Sequence, residues 1–289
     1  MASSLAGKAA LITGASQGLG LAIAMNFVKN GADLLICARN AEALNQAHAQ
    51  LMSHANGTQR IVPVVADVAN TKDVETLKQT LNEVFPNFSI LVNNAGVYGP
   101  KGKLEDIDMD AWIEAIQINL LGSVFMTKMV LPFLKAKKQG KIIQLSGGGA
   151  TNPMPYLTAY ATSKAAIVRF VESMSLEVAE YGIDMNLLAP GALNTRLLDD
   201  ILTAGPEIVG QAFYAKALEQ QQSGGASLDN AAQAACFLAS KESDGITGKL
   251  VSAVWDPWQD LPKYKEILKK SDIYTLRRIV PKDRGYDWE

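Results

Sequence analysis

A tyrosine and a lysine four residues apart are the side chains of this sequence best suited to chemistry. Tyr160 and Lys164 follow an apolar run, Lys141 to Leu145, and a loop that begins with Ser146 and three glycines. A helix is predicted to open near Tyr160, and residues at positions i and i+4 of a helix share one face. An ammonium beside a phenol favours the phenolate and lowers the tyrosine pKa from about 10. The pair therefore predicts a proton donor, although alone it also fits an ordinary amphipathic helix surface.

A glycine-rich turn near the start of the chain has the composition of a phosphate site. A buried strand is predicted over Lys8 to Thr13, and an apolar helix follows the turn and ends at Asn30 and Gly31. Free backbone amides and the positive helix end favour an anion there, and glycines remove side chains that would block a pyrophosphate. A tight connection without a ligand is the alternative. The cofactor contacts predicted in this turn are Gly14, Ser16, Gln17, Gly18, Leu19 and Gly20.

The end of the next predicted strand, Asp33 to Cys37, indicates which dinucleotide the turn would bind. NAD sites usually place an acidic residue about 20 residues past the glycine loop to accept from the ribose 2′-hydroxyl, whereas a nearby arginine suits a 2′-phosphate. Ala38 occupies the position of the acid, and Arg39 and Asn40 follow it. NADP(H) is therefore favoured and NAD(H) remains open. A solvated surface charge is the other interpretation of Arg39.

Strands and helices continue to alternate through the first half of the chain. Strands are predicted over Ile61 to Ala66 and Ser89 to Val92, with a helix over Val74 to Phe85 between them. This alternation predicts an α/β fold with a doubly wound parallel sheet, whose ligand lies beyond the carboxyl ends of the strands. The cofactor contacts predicted there are Asp67, Val68, Asn94, Ala95 and Gly96. A helix cap for the aspartate and a turn for the asparagine are the alternatives.

These motifs, in this order, resemble the short-chain dehydrogenase/reductase family over about residues 5 to 253. The matching residues are Gly14, Gly18, Gly20, Asp67, Asn93-Asn94-Ala95-Gly96, Asn119, Tyr160, Lys164, Pro190-Gly191 and Thr195. The resemblance implies a Rossmann-like fold with a seven-stranded parallel sheet and helices on both faces. It also implies NAD(P) binding and hydride transfer between the nicotinamide and a carbonyl or alcohol carbon. Further cofactor contacts implied by the resemblance are Tyr160, Lys164, Pro190, Gly191, Leu193 and Thr195.

The resemblance assigns catalytic roles to three of these residues. Tyr160 would be the general acid for carbonyl reduction, Lys164 would lower its pKa and hold the nicotinamide ribose, and Asn119 would support a water-mediated proton relay. Hydride arriving at a carbonyl carbon builds alkoxide charge, so a nearby donor must supply a proton. Asn119 lies inside the apolar pattern from Trp112 to Leu134, where a buried amide needs a partner. A bend in the helix is the alternative role of this asparagine.

The catalytic serine of the family has no direct counterpart in this chain. Counting from Asn119 to Tyr160 without gaps places Gly147 at its position, and Ser146 lies one residue early. Because successive strand side chains point to opposite faces, Ser146 should point away unless a bulge reorients it, and the glycines make such a change easy. Ser146 is therefore a fourth catalytic candidate. Thr151 or the backbone amides of residues 147–149 are the alternatives for binding the reacting oxygen.

Composition limits the remaining classes of function. The chain has 289 residues, 48% of them hydrophobic, which is enough for one substantial core. A net charge of −2 gives no electrostatic case for binding nucleic acid or an anionic membrane. The two cysteines and two histidines lack metal-site spacing, so no metal is predicted, and a reducing cytoplasmic setting fits them. The N-terminus lacks the pattern of a signal peptide, and no apolar run approaches the length of a membrane span.

One domain is predicted over residues 1–253, including a substrate loop over residues 192–228, with an extension over residues 254–289. The extension is aromatic and apolar, so it should dock, either on its own domain or across a neighbouring subunit. The family resemblance implies a homotetramer or homodimer that acts on a small carbonyl or alcohol compound. The sequence thus predicts an NADP(H)-preferring oxidoreductase. A cofactor-binding regulatory or scaffold protein with decayed catalysis is the alternative, and Gly147 is its motivation.

Overall fold

The computed structural model describes residues 4–288, in which one seven-stranded sheet forms the centre of the molecule. Apolar and β-branched runs form the strands, which are buried on both faces as in other parallel sheets. The strands are β1 (Ala9–Thr13), β2 (Asp33–Ala38), β3 (Ile61–Val65), β4 (Phe88–Asn93), β5 (Gly140–Leu145), β6 (Ile183–Ala189) and β7 (Leu250–Ser252). Their order is β3-β2-β1-β4-β5-β6-β7, and every neighbouring pair is parallel. The predicted doubly wound, seven-stranded sheet is confirmed.

Helices cover both faces of this sheet, and a separate cluster of buried apolar side chains lies under each face. Helices α1 and α10 contact each other on one face, and α3, α5 and α6 lie on the other. The helices before the last strand are α1 (Gly18–Lys29), α2 (Ala41–Met52), α3 (Thr71–Val84), α4 (Met109–Ile116), α5 (Gly122–Lys137), α6 (Thr158–Glu177), α7 (Arg196–Ala204), α8 (Pro206–Val209), α9 (Gln211–Ser223) and α10 (Leu228–Ala239). A short α11 (Lys265–Lys270) follows β7.

The apolar pattern from Trp112 to Leu134 lies in a long helical stretch that is interrupted in its middle. Helices α4 and α5 are joined by a π-helical turn, Gln117–Leu121, and Asn119 lies within that turn. The continuous stretch Met109–Lys137 is long and apolar enough to cross a bilayer by length and composition alone, but a core helix passes the same test. Its α5 half packs on β4, β5 and α3, which accounts for the apolar composition. The absence of a membrane partner stays a prediction.

The segment after β6, predicted as a substrate loop over residues 192–228, contains the three helices α7, α8 and α9. Gly205 and Gly210 separate them, with φ angles of 79° and 82°. A positive φ is readily adopted by glycine alone, so each glycine ends one helix and redirects the chain. The three helices, here called the cover segment (residues 196–223), pack against Leu157 and Tyr160. The chain therefore turns twice over the candidate site, and these turns divide the segment into three helices.

The C-terminal extension contacts its own chain along the edge of the sheet. The Leu250 amide of β7 donates to the Tyr274 carbonyl oxygen at 2.8 Å, and Lys249 Nζ donates to the carbonyl oxygens of Ser271 and Ile273 at 3.0 Å each. These bonds occupy polar groups at the open edge of the terminal strand. The extension thereby shields an edge that could otherwise pair with another chain.

A second set of contacts attaches the extension to two helices. Trp258 is buried and its ring lies 5.6 Å from that of Phe237 in α10. Farther on, the Leu276 amide donates to Glu172 Oε1 of α6 at 2.6 Å. Trp255 is 84% exposed in the same segment. The extension is therefore part of the packed core of its own chain, while a contact with a neighbouring subunit stays a prediction.

Replacing Trp258 by alanine should lower the free energy of unfolding by about 3 to 5 kcal/mol, the usual cost of deleting a large buried aromatic side chain. Trp255→Ala is the matched control, because an exposed side chain contributes within about 0.5 kcal/mol. Urea denaturation followed by circular dichroism measures both variants. Equal midpoints for the two would show that the extension does not contribute to the core as its contacts indicate.

Candidate active site

The glycine-rich turn between β1 and α1 has the tight packing that a pyrophosphate site requires. Gly14 has φ 64°, and a Cβ built on it would lie 3.0 Å from the Ala95 Cα atom. A Cβ on Gly20 would lie 2.2 Å from the Gly14 carbonyl oxygen. Gln17 precedes α1 and provides no side-chain cap for its first turn. The backbone amides at this helix start are therefore available to an anion, and the turn fits a dinucleotide phosphate.

Two polar side chains attach this turn to the end of β4. Asn94 Nδ2 donates to the carbonyl oxygens of Thr13 and Gly14 at 2.9 and 3.1 Å. In return, Thr13 Oγ1 accepts from the backbone amides of Asn94 and Ala95, both at 3.0 Å. Asn94 therefore does more than occupy a turn. It fixes the glycine turn relative to the residues that follow β4, where the nicotinamide side of a dinucleotide site is expected.

Arg39 lies at the carboxyl end of β2 with a half-exposed side chain. Its Nη1 atom is 3.7 Å from Asp67 and 3.9 Å from Glu114. Exposed pairs at such distances are weak, so the guanidinium is free to meet a ligand phosphate. Asn40 Oδ1 accepts from the Ala43 amide at 2.8 Å and caps α2. Only the Oδ1 atom of Asn40 is used by this cap, and the predicted cofactor contacts of Asn40 and Arg39 stay predictions.

Asp67 does not cap the helix that follows it. The cap of α3 is Asn70, whose side chain accepts from the Lys72 amide at 2.9 Å. Asp67 Oδ1 instead accepts from the Ala69 amide at 2.9 Å and shapes its own turn. Val68 beside it is buried. Both predicted residues therefore lie at the carboxyl edge of the sheet, where a dinucleotide would pass.

The loop after β6 reaches back to the glycine turn. Thr195 Cγ2 lies 3.5 Å from the point where a Cβ on Gly18 would stand. Gly191 in the same loop has φ 90°, and a Cβ there would lie 2.6 Å from Val254 Cγ2. Leu193 packs against the core cluster that contains α1. The loop that contains Pro190, Gly191, Leu193 and Thr195 therefore lies at the edge of the sheet that carries the glycine turn.

Tyr160 and Lys164 share one face of α6, and both are buried. Lys164 Nζ donates to the Leu145 carbonyl oxygen at 2.9 Å and lies 5.6 Å from the centre of the Tyr160 ring. Burial lowers the pKa of Lys164 to about 8. Burial, and then the nearby Tyr98, raise the pKa of Tyr160 above its usual value. The expectation of a lowered Tyr160 pKa is wrong for the ligand-free protein, because removing the phenolate from water outweighs the lysine.

Gly147 lies directly against the hydroxyl of Tyr160. A Cβ built on Gly147 would lie 2.1 Å from Tyr160 Oη, so position 147 is the one that points at the phenol. Ser146 is buried, and its Oγ atom makes no hydrogen bond to any residue from 4 to 288. Thr151 is exposed and accepts a hydrogen bond from Asn152 Nδ2. A role for Ser146 or Thr151 at the reacting oxygen stays a prediction without a supporting contact.

Asn119 uses its whole side chain to hold the loop after β4. Its Oδ1 accepts from the Val97 amide and its Nδ2 donates to the Val97 carbonyl oxygen, both at 2.8 Å. Nδ2 also donates to Ser163 Oγ, which in turn donates to the Tyr160 carbonyl oxygen at 2.7 Å. The π-helical turn at Asn119, a feature frequent at functional sites, therefore connects α6 to this loop. A proton relay through Asn119 stays a prediction.

Tyr98 is the residue of this site that the sequence analysis missed. Its ring packs edge to face against the Tyr160 ring, with 4.7 Å between the centres. The buried members of the cluster around it are Leu157, Tyr160, Leu198, Ile201, Val209 and Ala217. The signal in the sequence was its place two residues after Gly96, at the sheet edge that binds ligands. The arrangement places two phenol rings in contact inside an apolar cluster of side chains.

Comparison with known proteins identifies the family. A family model described as short chain dehydrogenase matches residues 8–204. Oxidoreductase UcpA of Escherichia coli strain K12 is 36% identical over 252 residues, which cover 84% of this chain and 92% of that protein. Oxidoreductase BOA17 of Botryotinia fuckeliana is 36% identical over 184 residues, and the match spans 64% of this chain and 65% of that protein.

Two solved structures share the fold and carry a nicotinamide cofactor. A gluconate 5-dehydrogenase from Burkholderia cenocepacia in complex with NADP and tartrate has a TM-score of 0.75 and 28% identity, covering 87% of this chain and 95% of that one. An NAD+-bound xylitol dehydrogenase has a TM-score of 0.77 and 26% identity, covering 86% and 98%. The chain belongs to the short-chain dehydrogenase family of NAD(P)-dependent oxidoreductases.

Proposed function

We propose that this protein is an NADP(H)-preferring oxidoreductase that interconverts a ketone and a secondary alcohol. The observation that carries the proposal is the buried pair of Tyr160 and Lys164, which lies at the sheet edge that holds the glycine turn. A phenol in an apolar pocket keeps its proton until a substrate oxygen needs it.

In reduction, Tyr160 gives its proton to the carbonyl oxygen of the substrate. Bound NADPH supplies the hydride. Lys164 holds its ammonium beside the phenol, and a positive charge there stabilises the phenolate that remains after proton transfer. Asn119 fixes the distance between α6 and the loop that carries Val97. This positioning keeps Tyr160 in place relative to the substrate, because small displacements of a donor reduce the rate strongly.

The pocket supports a substrate with hydrocarbon beside its carbonyl group. Tyr160 packs with leucine, isoleucine and valine side chains of the cover segment and of the loop before α6. Arg196, which could bind a carboxylate or phosphate, is exposed at the start of α7. Apolar linings bury apolar ligand surface. We therefore favour an apolar ketone or secondary alcohol over the sugar-like compounds named for the two similar structures.

The preference for NADP(H) rests on the end of β2. Ala38 provides no carboxylate for a ribose 2′-hydroxyl, and Arg39 provides a cation in weak, exposed ion pairs. A 2′-phosphate would replace these pairs with a charge-assisted, bidentate contact. One of the two similar structures contains NADP and the other NAD+. They therefore favour neither cofactor, and the preference for NADP(H) rests on Arg39.

Substitution of Tyr160 by phenylalanine tests the function. The ring and its packing remain, but the proton donor is lost, so kcat/KM for ketone reduction should fall by about 10² to 10⁴. NADPH affinity, measured by fluorescence titration, should stay unchanged. Tyr181→Phe is the control, since Tyr181 contacts Lys135 on a remote surface. Wild-type activity in Tyr160→Phe would refute the assigned role.

Substitution of Gly147 by alanine tests the close approach of the phenol. A Cβ at this position would lie 2.1 Å from Tyr160 Oη, so the hydroxyl must move away from its site. A displacement of about 1 Å can cost 10²-fold in rate, and we expect a loss of that order in kcat. Gly148→Ala is the matched control, because a Cβ there meets nothing within 4 Å. Equal kcat values for the two variants would contradict this geometry.

Substitution of Arg39 by alanine tests the cofactor preference. A charge-assisted hydrogen bond contributes about 1.5 to 3 kcal/mol, so the Kd for NADPH should rise about 10- to 100-fold while the Kd for NADH stays the same. Arg60→Ala is the control, since Arg60 precedes β3 at the opposite end of the sheet. Isothermal titration measures all four pairs. An equal effect of Arg39→Ala on both cofactors would remove the basis for NADP(H).

A cofactor-binding protein with decayed catalysis is the second candidate, and Gly147 is the observation that favours it. Position 147 carries no hydroxyl, and loss of one oxyanion donor costs about 10² to 10³ in rate. Tight binding of NADPH by the wild-type protein without hydride transfer to a broad panel of ketones would support this candidate. Measurable turnover of any panel member would exclude it.

We also propose that the protein assembles as a homodimer or homotetramer in the cytoplasm. The long α4–α5 helix and α6 would carry the contacts, because both expose large apolar side chains. These are Met109, Ile113, Leu121 and Leu176. Burying such side chains against a second copy removes apolar surface from water.

A further inference from the structure

We propose that Tyr98 is a catalytic residue that donates a hydrogen bond to the reacting oxygen of the substrate. The proposal rests on the oxidoreductase function proposed above. It concerns the position at which Gly147, in the loop after β5, leaves the reacting oxygen without a side-chain hydroxyl. Tyr98, which packs on Tyr160, would supply that missing donor.

The first argument is the packing of the two phenol rings. The rings of Tyr98 and Tyr160 meet edge to face at 4.7 Å, with 68° between their planes. Tyr160 is only 7% exposed, and Tyr98 is one of the side chains that cover it. A substrate carbonyl that binds at the Tyr160 hydroxyl would therefore lie close to the Tyr98 ring as well.

The second argument is that Tyr98 is held by residues that also hold Tyr160. Both backbone groups of the preceding Val97 are bonded to the Asn119 side chain at 2.8 Å. The same asparagine donates to Ser163 Oγ, which donates to the Tyr160 carbonyl oxygen. One buried network thus connects the backbone next to Tyr98 with the backbone of Tyr160. A donor fixed before the reaction is what stabilisation of a developing oxyanion requires.

The third argument comes from the other donors in reach of the site. Position 147, a glycine, is the one that points at the Tyr160 hydroxyl; the Ser146 hydroxyl contacts no hydrogen-bond partner among residues 4–288, and Thr151 is on the surface. Burial, together with the Asp200 carboxylate of α7, raises the pKa of Tyr98. Tyr98 therefore keeps its proton at neutral pH and can donate it in a hydrogen bond. Tyr160 is protonated there as well, so each phenol can donate to the reacting oxygen.

The reaction balances with both phenols in place. The carbonyl carbon gains a hydride from NADPH, and the electron pair of the breaking π bond passes to oxygen. That oxygen takes the proton of Tyr160, which becomes a phenolate. Tyr98 keeps its proton throughout and contributes a hydrogen bond that strengthens as charge develops on the oxygen.

The test is Tyr98→Phe, which keeps the ring and removes the hydroxyl. We expect kcat for ketone reduction to fall about 10² to 10³-fold, with KM nearly unchanged, because the hydrogen bond forms mainly in the transition state. NADPH affinity should match the wild type, which also shows that the variant is folded. Tyr181→Phe again serves as the control for removal of a phenol hydroxyl from a remote site.

Two results would overturn the proposal while the oxidoreductase function stands. An unchanged kcat with a raised KM would make Tyr98 a wall of the pocket and no more. Wild-type values of both constants would remove any role for its hydroxyl. If wild-type protein binds NADPH and transfers no hydride to any ketone of the panel, the proposed function fails, and the role of Tyr98 fails with it.

Discussion

Four hydrogen bonds between Thr13 and Asn94 and their neighbours hold the candidate site together. They join the glycine turn after β1 to the chain after β4, and the two strands are adjacent in the sheet. The turn could not pack this closely with larger residues, because a Cβ on Gly14 would meet Ala95. These four hydrogen bonds therefore set the position of the glycine turn relative to the loop after β4, which carries Val97 and Tyr98. Loss of these hydrogen bonds would move the glycine turn away from the loop after β4 without altering Tyr160 or Lys164 themselves.

Desolvation determines the state of the reacting groups. A buried phenol resists ionisation and a buried amine resists protonation, so the pKa of Tyr160 is raised and that of Lys164 is lowered to about 8. The lysine keeps one strong contact, the carbonyl oxygen of Leu145. Charge that develops on a substrate oxygen in this pocket meets little water, so each fixed donor contributes more than it would at the surface. The proposed role of Tyr98 depends on this effect, because the loop after β5 carries only Gly147 at the phenol.

The sequence predicted the sheet, the glycine turn and the pair of Tyr160 and Lys164 because each has a local pattern. Spacing alone places two residues on one helix face, and alternating strands and helices dictate a parallel sheet. Tyr98 had only its place two residues after Gly96 as a signal, because the loop that carries it is held by a contact between Val97 and Asn119, 22 residues apart in the chain. The direction of the Tyr160 pKa shift was also out of reach, since it depends on burial by the cover segment.

The family resemblance ends near residue 253, but the hydrophobic core does not. Trp258, Leu261 and Leu268 belong to the same buried cluster as α1 and α10. The Leu250 amide of β7 donates to the Tyr274 carbonyl oxygen of the extension, as it would to a further strand. This amide at the edge of the sheet is therefore already hydrogen-bonded. Glu172 binds the extension from α6, the helix that carries Tyr160 and Lys164. The extension is therefore bonded directly to the helix that carries Tyr160 and Lys164, although it lies beyond the part of the chain that resembles the family.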